Sequence, residues 1–165
     1  NKDGLDWFLN NCWQKIYDQN SNLELSIIGS WKGKVAEVYK ARFKNISFTG
    51  YVEHLANELK NSIMVIPIRI GSGIRIKALD AIVNGVPIVA TSVGVEGLDL
   101  VDGRDCFIRD NEQGLAEAIL SLANNDEYYQ HFRRNAVSKL KTYQDPGTAL
   151  QMRINIYNKI LEEKK

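Results

Sequence analysis

The chain has 165 residues, 44% hydrophobic and 25% charged, with 3 Pro and 12 Gly, which excludes disordered and collagen-like chains and suits one domain with a sizeable core. Lys+Arg 21 against Asp+Glu 20 leaves a formal charge of +1, too balanced to suggest a duplex-binding surface, so no nucleic-acid partner is expected. The longest apolar run, over residues 63–68, is far short of the ~20 residues that span a bilayer. No basic segment followed by an apolar one stands near the start, so no signal peptide is expected. Two cysteines, Cys12 and Cys106, make neither a disulfide framework nor a zinc site.

In chain order, residues 6–17 carry Trp7, Phe8, Cys12 and Ile16 near helical spacing and predict an amphipathic helix. Residues 23–28, closed by Gly29, predict a strand; 35–43 a helix; 46–48 a strand ending at Thr49-Gly50; and 54–60 a short helix. The near-continuous apolar run 63–68 predicts a strand covered on both faces. A helix over 74–83 stops at Asn84-Gly85, and Pro87 leads into a strand over 88–91. A weaker strand over 106–108 precedes helices from Glu112 to the end, with breaks at 124–126 and 145–147. Strands alternating with helices through short connections mean α/β with a parallel sheet. The chain begins on a helix whose apolar face needs a sheet beneath it. A strand is therefore expected upstream, with Asn1 a cut inside a longer protein.

In open α/β sheets, ligands bind outside the carboxyl ends of the strands. The most informative such loop runs Arg69-Ile70-Gly71-Ser72-Gly73-Ile74-Arg75-Ile76-Lys77-Ala78-Leu79-Asp80. Its glycines permit close backbone approach, and the helix after it offers unpaired N–H groups. A helix N-terminus carries about half a positive charge, which disfavours each nearby cation by about 0.3–1 kcal/mol. Arg75 and Lys77 in the predicted first turns would be relieved by a bound anion. On the helical wheel Lys77, Asp80 and Asn84 share a polar arc, whereas Arg75 lies near Leu79 and Ile82. That placement predicts a guanidinium that leaves the helix end and projects above the sheet. The plainer alternative is a solvated Arg75 with Lys77 paired to Asp80. It explains neither Arg75 nor the glycines, and a phosphate site is favoured.

Other features carry less. Gly29-Ser30-Trp31-Lys32-Gly33-Lys34 resembles a P-loop but is one residue short, with Val35 where Ser or Thr is required. Gly29 marks a turn or borders a sugar or phosphate, and Gly50-Tyr51-Val52 is a turn or borders a base. His54 and His131 have no metal-spaced partners, and no Asp-x-Asp pair suggests a metal-bridged diphosphate. Ser30, Ser72 and Ser92 lack a nucleophile-elbow setting. Residues 102–105 read as a solvated loop, and Tyr128-Tyr129 as packing.

Taken together, the run from Gly71 to Thr91, followed by Val93-Gly94-Val95-Glu96-Gly97-Leu98, resembles the C-terminal, donor-binding half of GT-B glycosyltransferases, specifically the retaining GT4 family of polysaccharide and lipopolysaccharide enzymes. The opening nine residues, the strands near 25–29 and 46–52, and the tail from Asp126 are similar to flanking parts of that half. The resemblance thus covers nearly the whole chain. It implies a Rossmann-like three-layer α/β/α domain with a parallel sheet, lacking its first strand, over 1–165, with closing helices over 126–165. It further implies a UDP- or GDP-sugar donor, a separate N-terminal acceptor-binding domain, and no cofactor or metal. A cytoplasmic setting at the inner face of the membrane, with peripheral membrane association of the full-length enzyme, also follows from it. Arg75 and Lys77, with Gly71, Ser72 and Gly73, would hold the donor diphosphate; Asp80 would grip the ribose; Tyr51 and Val52 would border the base; Gly29 would belong to a donor-site loop. Many members carry Glu-x7-Glu. With Asp80 at the second position, Ser72 occupies the first, which leaves the catalytic residue unassigned. The alternatives are a GT-B-fold sugar-nucleotide epimerase, disfavoured by the lack of His in these loops, and a degenerate nucleotide-binding or interaction domain. This half alone is expected to bind nucleotide without transferring sugar.

Overall fold

The structure is a computed structural model that describes residues 2–31, 34–71, 73 and 75–144. It opens with α1 (Lys2–Phe8), one π-helical turn over Leu9–Trp13 and α2 (Gln14–Gln19), which run on as one continuous helical stretch. There follow β1 (Leu25–Ile28), α3 (Val35–Arg42), β2 (Ile46–Gly50), α4 (Leu55–Glu58) and β3 (Met64–Ile66). The second half holds α5 (Ile76–Val83), β4 (Ile88–Ala90), a 3-10 turn (Val93–Val95), β5 (Phe107–Ile108), α6 (Glu112–Asn124) and α7 (Asp126–Gln144). The predicted order of elements holds, and most boundaries shift by one or two residues. The break expected at 145–147 lies outside the described residues.

All strand pairs are parallel, but they form two ladders, β1-β2 and β3-β4-β5, rather than one sheet. Among the described residues no strand joins β1 to β3. Period-2 alternation sends Val89 into one core and its neighbours Ile88 and Ala90 into the other. The first core gathers Phe8, Leu9, Cys12, Trp13 and Ile16 from the opening helix with Tyr39, the inner face of α6 and Phe132. The second holds Leu59, Ile66, Ala78, Ala81 and Ile82 with Val95 and Leu98. Helices thus cover both faces, giving the three-layer α/β/α arrangement.

Local chemistry explains where the elements stop. At the end of α5, Gly85 (φ +63°) donates its N–H to Ile82 O, while Val86 N–H returns to Ala81 O at 2.8 Å. Asn111 Oδ1 caps α6 by accepting from Gly114 N at 2.7 Å, and Asn125 Oδ1 accepts from Tyr128 N at the start of α7. The π turn brings Trp13 inward, where its Nε1–H donates to Lys44 O at 2.8 Å.

Two expectations change here. The 63–68 run forms a strand only over Met64–Ile66, and Met64 and Val65 are half-buried, not covered on both faces. Residues 102–105 are no simple solvated loop. Asp105 is buried; its carboxylate accepts Val101 N–H at 2.9 Å, bonds Arg104 and lies 3.9 Å from Lys139 Nζ. Burial would raise Asp105, but those bonds and the nearby cations outweigh it and hold it below the usual carboxylate range. Asp102 is likewise held low: burial opposes, while Ile108 N–H and Arg109 prevail.

Candidate functional site

Three loops meet the solvent at the carboxyl ends of the strands. After β1, Gly29 adopts φ +120° and donates its N–H to Gly50 O, the last residue of β2, at 2.7 Å. Tyr51 and Val52 follow directly, with Tyr51 82% exposed and Val52 half-buried. A broad, flat aromatic ring standing free beside two strand ends is suited to a stacking contact. Tyr39 and Phe48 stack at 6.1 Å beneath this end, and Trp31 meets Phe48 edge-on at 6.0 Å.

The second cluster lies after β3. Gly73 takes φ +96°, a left-handed conformation that favours glycine, and a Cβ there would meet open space. The helix begins later than the sequence pattern suggests. Arg75 is its N-cap residue (φ −84°, ψ 66°), and α5 starts at Ile76. The guanidinium consequently folds inward instead of projecting above the sheet, with Arg75 only 7% exposed. Its Nη2 donates to Gly71 O at 3.1 Å and to Glu96 Oε2 at 2.9 Å. The buried Nε has no hydrogen-bond partner among the described residues. A buried cation needs an anion beside it, and Glu96, 61% exposed on its side chain, supplies one.

Glu96 is brought there by the end of β4. Thr91 is buried; its N–H bonds Ile66 O at 3.2 Å, and its hydroxyl donates to Ile68 O. Gly94 N–H returns to Thr91 O at 3.0 Å, and a Cβ on Gly94 would fall 2.6 Å from Ile66 O. Only a residue without a side chain lets the 3-10 turn lie this close to β3, and the turn delivers Glu96 over Arg75. Sequence reasoning gave Glu96 no role, since its partner is 21 positions away and no periodicity links them. The signal was an arginine on an apolar stripe, which asks for an acid at the same sheet edge.

Lys77 is exposed in the first turn of α5, and Asp80 is half-buried one turn later. Both line a cavity together with Ile28, Trp31, Leu55 and Ile68. Arg69 sits over the Trp7 ring at 5.3 Å, a cation–π contact that ties the loop to α1. Ser72 and Ile74 lie outside the described residues, as do Lys32 and Gly33 of the P-loop-like stretch.

Nucleophilic chemistry finds little support. Both cysteine thiols are buried, and desolvation pushes each up to about 12. Ser92 holds Asp110 through its N–H and hydroxyl, at 2.8 and 2.9 Å. His54 is exposed ahead of α4, and His131 is an exposed neighbour of Asn135. Among the described residues no three His, Cys, Asp or Glu side chains gather as metal ligands, and no helix is long and apolar enough to cross a membrane. The chemistry that remains is recognition: a glycine loop, a helix start and cations at one sheet edge, with an exposed aromatic ring after β2.

Comparison with known proteins gives the family. The family described as "Glycosyl transferases group 1" matches residues 1–125. The chain belongs to the group 1 glycosyltransferases. A curated Klebsiella pneumoniae protein, "Uncharacterized 44.6 kDa protein in cps region", is 28% identical over 153 residues, covering 88% of this glycosyltransferase chain and 39% of that protein. Two crystal structures of TarM superpose. One, of TarM alone by its description, gives a TM-score of 0.74 at 20% identity. The other, a point mutant of S. aureus TarM in complex with Fondaparinux, alpha-GlcNAc-glycerol and UDP, gives 0.69 at 21%. Each match covers 93% of this chain and 32% of TarM. The fold of this glycosyltransferase chain is therefore that of a GT-B half. It spans about two fifths of its curated relative and about a third of TarM.

Proposed function

We propose that this chain is the donor-binding half of a retaining, metal-independent glycosyltransferase. The whole enzyme would move a hexosyl group from a UDP- or GDP-sugar to a glycan or lipid-linked acceptor in cell-surface polysaccharide synthesis. The other half would bind the acceptor, at the cytoplasmic face of the membrane and in peripheral contact with it. The observation that carries this reading is the Gly71–Gly73 loop between β3 and α5, clamped by the buried Arg75 and followed by Lys77. The presence of UDP in the TarM complex and the cps-region setting of the Klebsiella relative agree with it.

The residues divide the task. The loop around Gly71 and Gly73, with the start of α5, favours an anion, and Ser72 belongs to the same stretch of sequence. Lys77 adds a mobile charge there. Arg75, fixed by Gly71 O and Glu96, keeps its Nε available in a low-dielectric setting where an ionic hydrogen bond is strong. As the sugar leaves, charge accumulates on the departing diphosphate, and donors already in place stabilise it without reorganisation. Asp80, one turn along, is suited to accept the ribose hydroxyls, and the Tyr51–Val52 loop to border the base. Gly29 leaves the β1 end open for the sugar.

Isothermal titration of the chain with UDP, GDP and their sugars tests this. One nucleoside diphosphate should bind equally well with and without EDTA. Arg75→Ala and Lys77→Ala should each weaken it about tenfold or more, the cost of one lost ionic hydrogen bond. A folded sample that binds no nucleoside diphosphate would overturn the reading.

A further inference from the structure

Glu96 sets a negative charge beside the glycine loop, and by charge alone it should weaken any anion bound there. The fold nevertheless fixes it in place. Buried Thr91 donates its hydroxyl to Ile68 O and accepts Gly94 N–H at 3.1 Å, so the ends of β3 and β4 are latched together. Val95 and Leu98, buried in the second core, anchor the turn on either side of Glu96. Leu98 N–H returns to Val95 O at 3.2 Å, and Gly97 between them takes φ +80°, a left-handed conformation. The backbone at Glu96 is thus held on both flanks, while its side chain is 61% exposed. Its carboxylate turns to Arg75.

The effect on Arg75 follows from the shape of its head group. A guanidinium is a planar fork of N–H donors, and Nη2 carries two of them. Both are taken by protein, one by Gly71 O at 3.1 Å and one by Glu96 Oε2 at 2.9 Å. Two fixed acceptors on one nitrogen set the plane and tilt of the whole fork. The buried Nε is left without a partner among the described residues. An unpaired buried donor is costly, and an anion oxygen reaching Nε would recover that cost. Without Glu96 nothing at the end of β4 holds the cation inward. A long side chain at a helix start would then turn its head toward water.

We propose that Glu96 is a positioning residue of the donor site, acting through Arg75: it holds Nη2 so that Nε is the atom offered to the bound diphosphate. This rests on the donor-site reading above. Two opposing effects decide its sign. The carboxylate repels the diphosphate, but it is 61% exposed, and water and salt screen that repulsion. The donor it fixes is buried, where an ionic hydrogen bond is strong. Positioning therefore outweighs repulsion, and an acid inside an anion site raises affinity.

Isothermal titration of Glu96 variants with UDP and GDP tests this. Glu96→Ala should weaken the bound nucleoside diphosphate about tenfold, although it removes a negative charge. Glu96→Gln keeps an oxygen for Nη2 and should stay within about threefold of the native chain. Glu96→Asp keeps the charge but falls one methylene short of Nη2, and should lose as much as Glu96→Ala. In an Arg75→Ala background the sign reverses: Glu96→Ala should tighten binding about twofold, because only repulsion is left. Tighter binding by Glu96→Ala in the native background, or an unchanged Glu96→Asp, would overturn the proposal. The Arg75 Nε–H signal in proton–nitrogen NMR spectra reads the same positioning without ligand. It should be sharp and slow to exchange in the native chain and in Glu96→Gln, and broadened or lost in Glu96→Ala and Glu96→Asp. If the native chain binds neither UDP nor GDP, the donor-site reading fails, and this signal decides the positioning by itself. One signal unchanged across all variants overturns it.

Discussion

β3 and β4 lie side by side in one ladder, paired Met64 to Ile88, Val65 to Val89 and Ile66 to Ala90, yet their surroundings differ. All three residues of β4 are buried, whereas Met64 and Val65 of β3 are half-exposed and only Ile66 is buried. The apolar run around β3 is the longer one in the sequence, so hydrophobicity does not set the difference. Neighbours do. β4 has a bonded strand on each side, while β3 has one on a single side and the cavity on the other. A strand's burial is a property of the sheet around it: among the described residues the more apolar sequence is the one with fewer bonded neighbours.

The comparison breaks most visibly through core truncation. Ile88→Ala removes a side chain that is 1% exposed and leaves a hole in the second core under β4. The expected cost is about 3 kcal/mol. Met64→Ala, across the ladder from it, removes a half-exposed side chain and should cost only about 1 kcal/mol. Urea unfolding followed by circular dichroism measures both. Equal costs would mean that β3 is as well supported as β4 in solution.

Much of this was legible in the sequence, and what was not has a common cause. Period-2 apolar runs and Gly-Asn stops are local signals, so the order of strands and helices came through. The glycine loop with Arg75 and Lys77 stood out because glycines and cations at a helix start conflict with plain helix chemistry. What escaped depends on contacts distant in sequence. The inward fold of Arg75 needs Glu96, the approach of Glu96 needs Gly94 against Ile66 O, and the burial of Asp105 needs Lys139 from α7. The half-exposure of β3 could not be read from its residues, because it depends on which strands pair with it.

The turn before β5 is fastened by charge. Asp105 takes Val101 N–H at 2.9 Å and lies 3.9 Å from Lys139, itself bonded to Asp99 O, so the turn before β5 is tied to α7. Asp105→Asn keeps the shape but weakens the charged bonds, and should cost about 2 kcal/mol at neutral pH. The sign with pH follows from the lowered carboxyl. Its contribution is fully present above the unfolded value of about 3.9 and is lost as pH falls through the still lower folded value. The native chain should therefore lose stability steeply below about pH 4, and Asp105→Asn should flatten that acid limb. Thermal unfolding between neutral and acid pH checks this, and parallel curves for the two proteins would remove Asp105 from the account.

The start of β3 is fastened by a neutral bond. The Tyr129 hydroxyl, on α7, donates to Ser62 O at 3.1 Å and holds the start of β3. Tyr129→Phe leaves the ring in place and the Ser62 carbonyl without that donor, at a cost of about 1 kcal/mol, half or less of the Asp105→Asn effect. Because the change acts at the start of β3, its effect should be local. Exchange of the Ile63 and Val65 amides should quicken while those of β4 stay as they are. A uniform rise in exchange across β3 and β4 would mean that β3 opens only with the whole sheet. β3 would then be an integral part of the core despite its exposed edge.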